Sequence, residues 1–189
     1  WHVDAVAFTG HKSLLGLQGT GGFFLRDSLS FRAIKYGGTG RKSDQLIYPD
    51  GDLELEAGTQ NEPGIAALAA STGWIIDQNI NVIQEKESAL IRRLEFQLSD
   101  IPGVHIYGHP KVRGPLLSFG LSGFSPSDTS YILQNSFGIV TRAGLQCAPL
   151  IHKDIGSGKY GTVRASVSVF NKAADIDALT GAIREILKQ

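Results

Sequence analysis

Apolar positions along the chain change their period several times, and each change marks a different kind of element. Val3, Ala5, Ala7 and Phe8 read as a strand that runs into Thr9-Gly10-His11-Lys12. Four glycines fall within the seven residues from Gly16 to Gly22, and Gly22-Phe23-Phe24-Leu25-Arg26 then reads as a second short strand, closed by Asp27-Ser28. Residues 37–63 have little periodicity: Gly37-Gly38-Thr39-Gly40, Pro49-Asp50-Gly51-Asp52 and Glu56 to Pro63 give a long irregular segment. Segments of that length are either surface excursions or ligand loops, and the residues leave both open.

From Gly64 to about Ser99 the spacing turns helical, with Ile65, Leu68, Ala69, Thr72, Ile75, Ile76, Ile80, Ile83, Leu90, Leu94 and Leu98 three or four residues apart. Pro63 suits a helix start, Gly73 is a candidate kink, and Asp100-Ile101-Pro102-Gly103 is a stop. The pattern predicts one long helix over 64–99 joining a first domain, 1–63, to a second, 100–189. In the second, Val104–Tyr107, Leu116–Leu121, Gly138–Arg142 and Val163–Val169 read as strands. Ser125-Pro126-Ser127-Asp128 opens a helix, and Ile176, Leu179, Ile183, Ile186 and Leu187 form the apolar face of a terminal one, with Lys188 near its end. The prediction is a small α/β sandwich.

Composition narrows the class. The 189 residues are 42% apolar and 19% charged, and 18 basic residues balance 18 acidic ones. No basic excess points to nucleic acid or a membrane surface, and no apolar run approaches the roughly 18–20 residues of a membrane span. A single cysteine, Cys147, excludes an internal disulfide and favours a reducing cytoplasm. No methionine occurs, and Trp1 leads straight into a strand, so a fragment lacking an N-terminal part is expected.

Two clusters carry chemistry. Lys12 follows a strand and precedes glycines that let backbone approach an anion, so its amine is placed to meet a carbonyl-bearing cofactor; a solvated turn is the plain alternative. In Arg142-Ala143-Gly144-Leu145-Gln146-Cys147-Ala148-Pro149, the thiol sits on a loop near arginines and His152, where cations favour a thiolate; an inert thiol is the alternative. Arg164, within a predicted strand, calls for an anion: a substrate carboxylate or an Asp or Glu of the chain.

In order, these segments resemble the class V aminotransferase family, in its pyridoxal-phosphate-dependent cysteine desulfurase branch. The matching pieces are Thr9-Gly10-His11-Lys12 with its glycines, Tyr36-Gly37-Gly38-Thr39-Gly40 and Glu56-Ala57-Gly58-Thr59-Gln60-Asn61-Glu62-Pro63-Gly64-Ile65. Arg142 to Ala148, and Val163-Arg164-Ala165-Ser166 with Phe170-Asn171, complete them. The resemblance implies the C-terminal half of a fold type I enzyme, the aspartate aminotransferase-like architecture: a remnant of the large cofactor domain plus the small domain. It implies that Lys12 bonds the cofactor aldehyde and later shuttles the substrate α-proton, while Thr9 and His11 help hold the phosphate. Thr39 would reach the phosphate of a homodimeric partner. Cys147 would take sulfur from L-cysteine as a persulfide, releasing alanine, and pass it to a sulfur-acceptor protein. Arg164 would clamp the substrate carboxylate with Arg142 at the base of the cysteine loop. No metal is assigned.

The chain departs from the branch at Gln146, where a histidine is usual, and at Leu17, where a proline is common. The family's aspartate on the pyridine nitrogen and its ring-stacking residue come from sequence preceding the lysine strand; Asp4 is not an evident substitute. The chain alone is therefore expected to be inactive or nearly so. Related readings are a selenocysteine lyase, a sulfinate-type lyase, an aminotransferase or epimerase, or a non-catalytic interaction module.

Overall fold

The computed structural model describes residues 2–27, 29, 37–38, 57–108 and 114–188. Within them the chain forms two compact units, Trp1–Asn79 and Ile80–Gln189.

In the first unit, β1 (Ala5–Thr9) and β2 (Gly21–Leu25) pair antiparallel, with Ala7 opposite Phe23 and Thr9 opposite Gly21. α1 (Glu62–Gln78) follows, with Asn61 as its cap and Pro63 in its first turn, where a missing N–H costs nothing. The expected single helix is in fact two. α1 ends at Asn79, whose φ of +64° turns the chain into the left-handed region, and α2 (Ile80–Ser99) starts at once. Asparagine tolerates that conformation, whereas Gly73 stays inside α1 with no kink assigned to it. The apolar spacing runs unbroken through both helices, so periodicity alone does not reveal the break.

The second unit is a four-stranded antiparallel sheet covered on one face by helices. Its strands are β3 (Val104–Tyr107), β4 (Leu116–Leu121), β5 (Arg142–Gly144) and β6 (Thr162–Ser166), in the order β3-β4-β6-β5. Between them lie α3 (Pro126–Phe137) and the one-turn α4 (Ile151–Asp154), and α5 (Ala173–Ile186) closes the chain. Leu117, Phe119, Leu121, Val163 and Ala165 alternate inward from β4 and β6, in register as Leu117–Ala165 and Phe119–Val163. They meet Leu90, Ile91, Leu94 and Leu98 of α2, Leu133 of α3, and Ile176, Leu179, Ile183 and Ile186 of α5. Ser125 caps α3 by accepting the Asp128 N–H at 3.1 Å, and Gly138 ends it with φ +68°.

That helix exit corrects the strand expected over 138–142. Gly138 and Ile139 donate back into α3, so the ladder begins only at Arg142. Likewise β6 stops at Ser166, because Asn171 folds back to accept the Ser168 N–H and turns the chain into α5.

Polar ties bind α2 to α5. Arg93 donates to Asp177 at 2.7 and 2.9 Å, Gln97 to Asp177 at 2.8 Å, and Thr180 to Gln97 at 2.8 Å. The Gln97 and Arg93 donors hold the Asp177 carboxyl below its ordinary value, and the Lys172 N–H and Asn171 do the same for Asp175.

Leu94→Ala, which empties a fully buried position, should lower unfolding free energy by about 2–5 kcal/mol in urea titrations of the chain. Because the Asp175 and Asp177 carboxyls are depressed in the folded state, their stabilisation is present above the unfolded aspartate value. It is lost as pH falls through the folded one. Acidification across that window should lower the melting temperature, and Asp175→Asn/Asp177→Asn should flatten the dependence.

Candidate active site

β1 carries Thr9-Gly10-His11-Lys12 into a tight turn. The Gly10 N–H donates to Thr20 O, the Gly16 N–H to Gly10 O and the Leu15 N–H to Lys12 O, each at 2.9 Å. Gly10 is buried, and a Cβ there would strike Thr20 Oγ1. A Cβ at Gly16 would lie 2.9 Å from Leu68 of α1, and one at Gly64 would lie 2.8 Å from Thr20 Cγ2. The glycines therefore seat the lysine turn against the start of α1, a packing role beside the one expected from sequence. Asn61 Oδ1 fixes that start by accepting the Gly64 N–H at 3.1 Å.

Thr9, His11 and Lys12 are exposed, and among the described residues no hydrogen bond or ion pair engages their side chains. A hydroxyl, an imidazole and a primary amine on four successive residues of a braced turn form a donor set that fits a phosphorylated aldehyde. The amine can bond the aldehyde carbon, and the other two can take phosphate oxygens. Asp4 is ion-paired with Arg26 at 3.3 Å. Thr39, Tyr36, Gly40 and Glu56 lie outside the described residues.

In the second unit the pleat sorts the chemistry. Val163 and Ala165 enter the core, so Thr162, Arg164 and Ser166 occupy the opposite face of β6. Directly opposed positions on neighbouring strands share a face, which makes Tyr107, Ser118, Arg164 and Arg142 one row across the sheet. Two arginines directly opposite repel, and among the described residues neither is ion-paired. Of the two partners left open for Arg164, an Asp or Glu of the chain is not found among the described residues. Its Nε instead donates to Ser166 Oγ at 3.1 Å. Such a pair is suited to a planar carboxylate.

The cysteine loop folds over this same face. Gly144 turns it with φ +94°, and β5 and β6 pinch together there: a Cβ on Gly161, itself at φ +75°, would run into the Gly144 carbonyl. Gln146 and Cys147 both adopt left-handed φ, +54° and +61°, a strain of about 1–3 kcal/mol each for non-glycine residues. Gln146 Nε2 holds the loop down with contacts to Thr162 O at 3.0 Å, Thr162 Oγ1 at 3.1 Å and Arg142 O at 3.2 Å. Thr162 is consequently fully buried although it lies on the arginine face, while Cys147 is exposed.

His152 was expected to be a cation near the thiol, and that expectation is corrected. It is buried at 3% exposure, with Nε2 3.0 Å from Leu145 O and Nδ1 2.7 Å from Ser157 Oγ. Both ring nitrogens are committed to the loop. The sequence reading missed Ser157, Thr162 and the bracing role of Gln146. The available signal was Gly156-Ser157-Gly158, where glycines at φ +70° and +69° return Ser157 onto His152.

Comparison with known proteins decides the family. The family model for class-V aminotransferases matches residues 1–179. The chain belongs to the class-V aminotransferase family. A probable cysteine desulfurase of Methanothermobacter thermautotrophicus is 31% identical over 190 residues, 97% of this chain and 48% of that protein. The cysteine desulfurase CsdA of Escherichia coli is 31% identical over 192 residues, 98% and 46%. Among solved structures, the apo cysteine desulfurase of Thermococcus onnurineus superposes with TM-score 0.84 at 28% identity, covering 99% of this chain and 48% of that one. Escherichia coli CsdA with an S-sulfonic acid gives 0.85 at 30%, covering 98% and 46%. The chain spans about half the length of the curated relatives it matches.

In this class-V chain the β5–β6 pinch should tolerate no side chain. Gly161→Ala should lower stability by about 1 kcal/mol or more, read by chemical denaturation, because both its φ and the Gly144 carbonyl oppose a Cβ.

Proposed function

We propose that the protein carrying this chain is a cysteine desulfurase that works with pyridoxal phosphate, in a homodimer and in the cytoplasm. The observation that carries the reading is the single exposed thiol, Cys147, held on a strained loop over the face that bears the Arg142–Arg164 row, which has no ion-pair partner among the described residues. Names of relatives near 30% identity support the same reaction class.

Lys12 would hold the cofactor through its aldehyde, with Thr9 and His11 on the phosphate; Thr39 would serve the partner's phosphate. Bound pyridoxal phosphate supplies the electron sink for carbanion chemistry. Arg164, with Arg142 beside it, binds the substrate carboxylate through its planar fork and so fixes which sulfur is presented. Lys12 Nζ, once freed, takes and returns the α-proton.

Cys147 Sγ attacks as the thiolate. A bond forms between Cys147 Sγ and the sulfur of L-cysteine, and the bond from that sulfur to the substrate β-carbon breaks. The electron pair stays with the substrate, whose β-carbon takes a proton, so alanine leaves and Cys147 keeps the sulfur as a persulfide. A soft thiolate is the appropriate nucleophile for sulfur. An exposed persulfide can then pass its outer sulfur to the thiol of an acceptor protein.

The experiment is substitution in the protein that carries this chain. Cys147→Ala should abolish sulfide release from L-cysteine, and the persulfide should be found by mass spectrometry on the peptide containing Cys147 and nowhere else. Lys12→Ala should abolish borohydride-fixed cofactor on the peptide containing residue 12. Cys147→Ala with sulfide release at the parent rate would remove the persulfide reading.

A further inference from the structure

We infer that His152 is a positioning residue for Cys147: its buried ring ties the cysteine loop to the Gly156-Ser157-Gly158 turn and so sets where the thiol stands. The inference rests on the desulfurase reading for its purpose, and on geometry alone for the tie itself.

The tie has a defined direction. Leu145 O can only accept, so the ring nitrogen 3.0 Å from it, Nε2, carries the hydrogen. In the neutral ring Nδ1 is then an acceptor, and Ser157 Oγ, at 2.7 Å, donates to it. Leu145 O also accepts the Ala148 N–H at 2.9 Å. One carbonyl, two residues before Cys147, thus receives two donors, one from the residue after the cysteine and one from the α4 histidine. Ser157 is itself held, since its N–H donates to His152 O at 3.1 Å. The imidazole is 3% exposed, so an unmet donor there would go without solvent, and the carbonyl contact is worth correspondingly more.

Without this tie, the Gln146 amide and the Ala148 N–H would be left to hold two successive left-handed residues. Strained backbone of that kind persists only where its surroundings over-determine it. His152 supplies a further restraint, a side-chain donor on the carbonyl of Leu145, the residue just before the left-handed pair. Both of its ring nitrogens are committed within the protein, so its part is to position rather than to react.

The test uses three substitutions chosen by which nitrogen they keep. His152→Gln can retain a donor near Nε2, His152→Asn retains polarity only near Nδ1, and His152→Phe retains the ring without either nitrogen. The first readout needs no cofactor: hydrogen–deuterium exchange of the peptide spanning residues 143–149 in the chain itself. Exchange should quicken about tenfold in His152→Phe and His152→Asn and stay near the parent rate in His152→Gln. The second readout is made in the protein that carries this chain, where the same pair should lower kcat for sulfide release without raising KM for L-cysteine, again with recovery in His152→Gln.

Equal loss of melting temperature and equal exchange in all three variants would make His152 an ordinary core residue and overturn the inference. So would faster exchange with an unchanged kcat. Cys147→Ala, which leaves the tie intact, judges the desulfurase reading separately, because its exchange pattern should match the parent whatever its activity.

Discussion

The pleat of β6 governs the second unit. Five residues, Thr162 to Ser166, divide between two tasks because successive side chains leave a strand on opposite faces. Val163 and Ala165 enter the core with Leu117 and Phe119, and this burial fixes the register. Once the register is fixed, Arg164 has to stand opposite Arg142 and Ser118. A slip by one residue would bury the guanidinium and expose Val163, losing apolar burial and adding an uncompensated charge. The apolar core thereby sets the position of the arginine row.

The cysteine loop shows how a local conformation unfavourable in isolation is maintained. Gln146 and Cys147 together carry about 2–6 kcal/mol of left-handed strain. Against it stand the two N–H donors of the Gln146 amide, shared among three acceptors, the Ala148 N–H and the His152 Nε2 donor, each donor worth about 0.5–1.5 kcal/mol net. The two sums are of similar size, so the loop depends on most of its restraints together. Gly161 contributes by having no Cβ, which lets it lie against the Gly144 carbonyl, and Gly144 contributes a φ of +94° that side-chain-bearing residues rarely adopt.

Much of this was legible from the sequence, and the failures have physical causes. Val104–Tyr107 and Leu116–Leu121 were read with their observed bounds, since alternation is strong where one face is buried. The α3 start at Ser125-Pro126 was equally clear. The break at Asn79 was not, because two helices with apolar stripes in the same period look like one, and only the φ of a single residue separates them. The residue types of the two chemical clusters were visible, and the family comparison agrees with the resemblance they carry. What sequence could not supply was direction. A histidine five residues after a cysteine looks like a cation beside a thiol, yet burial and two committed nitrogens make it a brace. Gln146 looked like the loss of a functional histidine, and its hydrogen bonds disclose a different task.

That difference bears on the nucleophilic role proposed for Cys147. The Gln146 amide has no basic nitrogen and its donors are spent on Thr162 and Arg142 carbonyls. His152 Nε2 carries its hydrogen to Leu145 O, and Nδ1 is occupied by Ser157. None of these groups on the loop and its sheet is free to accept the thiol proton. Cys147 is, however, exposed, so its thiol is open to solvent. The loop therefore contributes position, and exposure contributes access. A neutral, hydrogen-bonding glutamine beside the cysteine is compatible with that division, because holding the loop requires donors and proton removal requires only access.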